Sequence, residues 1–284
     1  MQFRQSVVAA LLAIASIGAA HAAITNNDAT GGSELFLVAN KVNAGVSYTY
    51  TFDTGLSFAS FLPGASASQA NQSFNLAGDS NWTSFLSQAG GATGVKWAVY
   101  GGNNADSGTA GGQQIMMTTN KVGTGMVGST TANRLTDTRM NTGLQNTAVF
   151  LNATNQLGTN ATLANGSSLN SGAGSADYVT GKQNLFGAQY TATFTPVSDI
   201  GTEARFALVQ NSLATTASVT NYSTAGAAIA DITDPGVATW LLSSDGNLSY
   251  TAAVAAVPEP GEWAFMMAGF GLVGMIARRR AARA

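Results

Sequence analysis

The sequence predicts a mainly β fold: a secreted, β-sandwich-like domain with one or two short helices, followed by a single C-terminal transmembrane helix. Three observations predict it. Apolar and hydroxyl residues alternate with period two in runs bounded by Gly, Pro, Asn and Asp, the pattern of strands half buried against a core. Only 9% of the 284 residues are charged while 45% are hydrophobic, which separates the chain from charge-rich disordered segments. Finally, residues 261–277 are apolar apart from Glu262. As a helix they would measure about 25 Å, the short end of what spans a bilayer.

After a polar lead, residues 34–39 (ELFLVA) read as a strand. Residues 45–52 follow with Val46, Tyr48, Tyr50 and Phe52 on one face and Ser47, Thr49 and Thr51 on the other. Asp53-Thr54-Gly55 carries a turn signal, and residues 56–62 are expected to form a third strand ended by Pro63-Gly64. Residues 66–72 read as a polar loop. Asp79 or Ser80 caps a short helix through Trp82, Phe85 and Leu86, stopped at Gly90-Gly91. Residues 95–100 then place Val95, Trp97 and Val99 on one strand face. A glycine-rich loop is expected over 101–112, and a strand over 114–119.

The middle of the chain changes character. Met140, Leu144, Ala148 and Leu151 recur at helical spacing, so a helix is expected over 137–157. Residues 159–182 are rich in Gly, Ser, Asn and Ala without an apolar period, and read as a loop and soft boundary. Strands resume over 188–195, ended by Pro196, and over 203–210. Ser244-Asp245-Gly246 between the apolar runs 238–243 and 247–252 is a hairpin signal.

Both ends carry targeting chemistry. Arg4, the apolar run 7–17 and the small-x-small Ala20-His21-Ala22 form a leader, cut after Ala22 with Ala23 the neighbouring choice. Signal peptidase and the Sec export machinery are the implied partners. At the other end Pro258-Glu259-Pro260 is stiff and extended, because each proline fixes its own φ and restricts the residue before it. The span follows, with Trp263, Phe265, Met266, Met267, Phe270, Leu272, Val273, Met275 and Ile276 as its apolar bulk. Arg278, Arg279, Arg280 and Arg283 form a stop that stays in the cytoplasm. The chain thus divides into a leader (1–22), a body outside the cytoplasm (23–256) and a tail (257–284).

This tail resembles the PEP-CTERM sorting signal of Gram-negative bacteria. The residues that carry the resemblance are Val257 to Pro260, Trp263-Ala264, Ala268-Gly269, Gly271-Leu272, Gly274 and the arginine cluster. Glu262 stands where a small or hydroxyl residue is common. The resemblance covers about a tenth of the chain. It implies recognition and removal of the tail by exosortase, a membrane-embedded, transpeptidase-like enzyme. It further implies a bacterium that makes exopolysaccharide, transient residence in the inner membrane, and delivery to the cell surface or extracellular matrix.

For the body, composition excludes more than it assigns. There is no cysteine, so no disulfide framework and no thiolate chemistry. The single histidine, His21, lies in the leader, so the mature chain has no Ser–His–Asp or Cys–His catalysis and no histidine-ligated metal. Lys41, Lys96, Lys121, Arg134, Arg139, Lys182 and Arg205 are outnumbered by carboxylates in the body, which argues against nucleic acid as a partner.

Asp53, Asp79, Asp106, Asp137, Asp177 and Asp199 fall in turn-like contexts, without the pairing across roughly 5 to 9 Å that glycoside hydrolysis needs. Asp231, Asp234, Asn103, Asn104 and Asp106 offer oxygen atoms but not the spacing of a calcium loop. Gly123, Gly125 and Gly128 lack the following helix of a dinucleotide loop. Asn-x-Ser/Thr triplets begin at Asn71, Asn81, Asn152, Asn160, Asn165, Asn221 and Asn247, a number that composition alone accounts for. Among the aromatics able to stack on sugars, Trp97 and Trp240 read as core, Trp82 and Tyr100 remain open, and Tyr178 and Tyr222 are the tentative glycan contacts.

No enzyme activity and no cofactor are expected. The expected role is structural or adhesive within an exopolysaccharide matrix, with a carbohydrate-binding module as the alternative and a carboxylate-based glycan hydrolase behind it.

Overall fold

A computed structural model of the chain describes residues 23–25, 33–62, 70–103, 113–119, 137–160, 162–172, 197–210, 229–231, 238–252, 270 and 278. The chain divides into two compact units, Met1–Ala253 and Val254–Ala284. Among its described residues the first unit is mainly β. In chain order its elements are β1 (Glu34–Asn43), β2 (Val46–Ser57), a 3₁₀ turn (Ala59–Phe61), β3 (Gln72–Asn75), α1 (Ser80–Gln88), β4 (Lys96–Asn103) and β5 (Gln114–Thr119). There follow α2 (Asp137–Thr154), β6 (Ser167–Gly172), β7 (Ser198–Asp199), β8 (Ala204–Gln210), β9 (Ile229–Asp231), β10 (Thr239–Leu242) and β11 (Asn247–Thr251). All eleven strands join one antiparallel sheet in the order β3-β11-β10-β8-β5-β4-β1-β2-β6, with β7 beside β4 and β9 beside β8.

The sheet curls until its two ends meet. Phe52 on β2 and Phe74 on β3 are in edge-to-face contact, although their strands lie at opposite ends of the sheet. The inner face is the core: Leu35, Leu37, Ala39, Tyr50, Trp97, Val99, Phe206, Trp240, Leu242, Leu248 and Tyr250 are all buried there. Phe61 crosses the interior from the end of β2 to reach Tyr250, Phe206 and Trp240, with ring centroids 4.8, 5.7 and 6.2 Å away. A 3₁₀ turn brings residues three apart to one side, so Phe58 and Phe61 are buried together.

On the other face, α2 covers the middle of the sheet. Phe150 stacks on Phe36 at 5.9 Å, Phe36 meets its cross-strand partner Tyr100 at 5.8 Å, and Thr147 Oγ1 lies 3.2 Å from the Tyr100 hydroxyl. The strand β1 is therefore buried on both faces, which is why residues 34–39 lack polar alternation. α2 itself matches the expected helix, with Leu144 and Leu151 buried as its spacing predicts.

Several expectations change. Asp53-Thr54-Gly55 makes no turn: β2 runs through it, and the register jumps from Phe36↔Asp53 to Leu35↔Leu56. Asp53 Oδ1 accepts from the Gly55 N–H at 2.8 Å, and Thr54 Oγ1 donates to the Leu35 carbonyl across the ladder. The same residues that would close a turn here close a β-bulge, with Gly55 at φ 64°. Beyond Ser57 the chain forms the 3₁₀ turn instead of a third strand. Gln72 begins β3 instead of ending a loop, and Gly101, Gly102 and Asn103 extend β4 instead of opening one. The expected loop 159–182 contains β6, paired with β2 from Ser47↔Gly172 to Phe52↔Ser167. The strand expected over 188–195 and the Pro63-Gly64 stop lie outside the described residues.

The hairpin β10–β11 forms where Asp245-Gly246 predicts it. Gly246 has φ 87°, and a Cβ there would lie 2.6 Å from Trp82 Nε1. No other residue fits that turn beneath the indole.

Candidate functional site

The residues with the strongest sequence argument lie at the C-terminus. Pro258, Glu259, Pro260, Trp263, Phe265, Met266, Met267, Leu272, Val273, Met275, Ile276, Arg279, Arg280 and Arg283 lie outside the described residues. Phe270 and Arg278 are described: each is helical and exposed. Among the described residues no helix is long and apolar enough to cross a membrane. Residues 1–22, the expected leader, also lie outside them. β11 stops at Thr251, and the Ala252 N–H donates to Asn71 Oδ1 at 2.9 Å.

Among the described residues, a cluster of polar side chains surrounds a carboxylate where α1 meets β2 and β6. Asp79 precedes α1 in an extended conformation, as a helix cap must. Its Oδ1 accepts from the Asn81 and Trp82 N–H groups at 2.7 and 3.0 Å, and its Oδ2 accepts from the Tyr50 hydroxyl at 3.3 Å. Asn81 Nδ2 reaches on to β6, donating to Ser167 O at 3.1 Å and Ser167 Oγ at 2.9 Å. The Tyr50 ring is held by Trp82 at 5.1 Å and Phe85 at 6.1 Å. Burial pushes the Tyr50 hydroxyl well above its ordinary range, and the Asp79 charge and hydrogen bond push the same way, against a smaller opposing effect of Ser167.

At the far end of the same helix, Lys41 Nζ donates to the Gly90 and Gly91 carbonyls at 3.3 and 3.0 Å. Asn43 Nδ2 donates to the Gln88 carbonyl at 3.0 Å. Anion at the N-terminus and cation at the C-terminus both suit the helix dipole. The β1–β2 hairpin therefore grips α1 at both ends, and α1 in turn bridges to β6.

Chemically, this cluster is a lock. The Asp79 carboxylate spends its lone pairs on helix amides and a tyrosine that stays protonated. Asp79 was legible as a cap; its distant partner Tyr50, and Ser167 bound by Asn81, carried no local signal.

Among the described residues, other carboxylates have local or surface partners. Asp53 is buried in its own bulge. Asp199 pairs with Lys96 at 2.6 Å on the exposed surface. Asp245 is held below the usual carboxylate range by the hydroxyl of Ser243 in the hairpin turn. Asp106, Asp177, Asp234 and Asn104 lie outside the described residues, as do Tyr178 and Tyr222. Among the described residues no group of three or more His, Cys, Asp or Glu side chains could hold a metal ion.

The aromatic platforms are corrected as well. Trp82 and Tyr100, left open as sugar-stacking surfaces, are buried, together with Trp97 and Trp240. A ring with almost none of its surface exposed has no face left for a glycan. The chain matches no protein-family model, no curated protein and no solved structure.

Proposed function

We propose that this chain is an exported protein of the bacterial cell surface or extracellular matrix, sorted through its PEP-CTERM-like tail and released from the inner membrane by exosortase. The observation that carries this reading is the order of parts after the body. The Pro258-Glu259-Pro260 motif, an apolar run of transmembrane length and four arginines follow one another within residues 258–283. Residues 261–277 are read as a single membrane-crossing helix. The boundary between the two compact units falls just ahead of these parts, which supports a body separable from its tail.

The body is read as sandwich-like, on the strength of the Phe52–Phe74 contact between the two ends of the sheet. Its role is structural or adhesive in exopolysaccharide. The saturated Asp79 cluster and the scattered carboxylates support a non-enzymatic role, and the burial of four aromatic candidates leaves glycan stacking to Tyr178 and Tyr222. The test is the intact mass of protein recovered from the cell surface. Loss of the span and of Arg278, Arg279, Arg280 and Arg283 is expected; their retention would make the tail an ordinary anchor.

A further inference from the structure

Residues 23–25 form a short strap that is held on both sides. Ile24 is buried, with 2% of its surface exposed. One side chain serves both of its backbone groups: the Ile24 N–H donates to Asn155 Oδ1 at 3.1 Å, and Asn155 Nδ2 donates to the Ile24 carbonyl at 2.9 Å. The next residue turns to β1. The Thr25 N–H donates to Glu34 Oε2 at 2.7 Å, and the Glu34 N–H donates to the Thr25 carbonyl at 2.8 Å. Asn155 itself is fixed at the end of α2, its N–H bonded to the Leu151 carbonyl at 2.8 Å. The strap thus ties α2 to β1 across the face that α2 covers.

We propose that Asn155 and Glu34 form a docking site for the new N-terminus of the processed chain, and that this site accepts a chain beginning at Ala23 but not one beginning at Ile24. The inference rests on the leader reading above, and it decides between the two cuts that the small residues allow. A cut between Ala22 and Ala23 leaves the Ile24 nitrogen as an amide, with one proton for one acceptor. A cut between Ala23 and Ile24 converts that nitrogen into a charged α-ammonium with three protons, at a buried position where Asn155 Oδ1 is the acceptor. Burying a charge with unmet donors is costly. Starting one residue earlier moves the charge to Ala23, which is only half-buried. Docking also closes the junction: a protease needs an extended run on both sides of the bond, and Ile24 is no longer available. The cut must therefore precede the seating of Ile24.

Two leader-free chains, running to Ala284 from Ala23 or from Ile24, are compared in detergent by thermal melting. The chain that starts at Ala23 is expected to melt about 3–5 °C higher, the shift that a tenfold-weaker docking produces in a domain of this size. In Asn155→Asp the order reverses, because the carboxylate loses its donor to the Ile24 carbonyl but pairs with an α-ammonium. Equal melting of the two wild-type chains, or a gap that Asn155→Asp leaves unchanged, would overturn the proposal. Sequencing the N-terminus of exported protein separates this from the leader reading. A start at Ala23 supports both, a start at Ile24 overturns the docking proposal, and a retained Met1 sinks the leader reading while the melts still judge the docking.

Discussion

The Phe52 and Phe74 rings meet edge to face at 5.7 Å, 67° apart in plane, across the seam where the two ends of one sheet approach each other. Among the described residues, Phe61 from the 3₁₀ turn and Trp82 from α1 also bridge the curl, each as a third element. The Phe52–Phe74 pair is direct. Leucine at either position keeps the apolar volume and removes the edge-to-face geometry. A double-mutant cycle of Phe52→Leu and Phe74→Leu is expected to give a coupling of about 0.5–1.5 kcal/mol in urea unfolding. Additive single effects would mean that the seam is held by α1 and Phe61 alone.

Thr118 repairs a fork in the sheet. Strand β4 pairs with β5 from Tyr100 onward and with β7 at Lys96 and Trp97, which leaves Val99 between the two partners. The Thr118 hydroxyl fills the gap, accepting from the Val99 N–H at 3.1 Å and donating to the Val99 carbonyl at 3.5 Å, with Thr118 fully buried. Thr118→Val keeps the shape but strands the Val99 N–H away from water, so a loss of about 1–3 kcal/mol is expected. Thr118→Ser restores the hydroxyl and is expected to recover most of it. A valine variant as stable as the wild type would show that the hydroxyl contributes nothing there.

Alkali probes the interior through two tyrosines. Burial pushes Tyr250 up to about 12, and burial with the neighbouring Asp79 pushes Tyr50 well above 10.0. An unfolded chain ionises both near pH 10. Below that value both states hold the protons and the contribution to stability is complete. As the pH climbs through the folded values, the unfolded state has already released protons that the native state retains, so stability falls. The urea midpoint is expected to be level up to about pH 9 and to decline beyond pH 10. In Tyr250→Phe the decline should be shallower. A midpoint unchanged by strong alkali in the wild type would contradict the burial of both hydroxyls.

What could be read in advance follows the range of the forces involved. Val46, Tyr48, Tyr50 and Phe52, or Val95, Trp97 and Val99, announce a strand because one buried face imposes a period of two on neighbouring residues. Asp79 and Asp245-Gly246 announce a cap and a hairpin turn because their chemistry is local. Asp53-Thr54-Gly55 misleads because a bulge and a turn use the same residues, and the Leu35 carbonyl on another strand decides between them. Ser167–Gly172 has little strand propensity of its own and becomes β6 only against β2. Likewise no local pattern joins Tyr50 to Asp79, or Asn155 to Ile24, since their bonds close across 29 and 131 positions of chain. The buried state of Trp82 and Tyr100 is of the same kind: it depends on α1 and α2 packing where the sequence names only rings.

The tail offers the sharpest functional test. On the proposed reading, Pro258 and Pro260 would favour an extended backbone, the form in which a protease cleft binds its substrate. The apolar run that follows would hold this segment at a constant depth, and the arginines would stop it from being drawn through. Glu259, between the prolines, would present a charge for a cationic group on the proposed processing enzyme to read. Replacing Pro258, Glu259 and Pro260 together by alanine leaves the span and the stop intact, so membrane insertion should proceed as before. Recognition alone should fail. Full-length protein is then expected to accumulate in the inner membrane with its body accessible to protease from outside, while little reaches the surface. Glu259→Gln, which keeps both prolines, separates charge from conformation and should give partial release. If the triple variant is trimmed and released like the wild type, the three residues are a spacer, and the resemblance to a sorting signal carries no function in this chain.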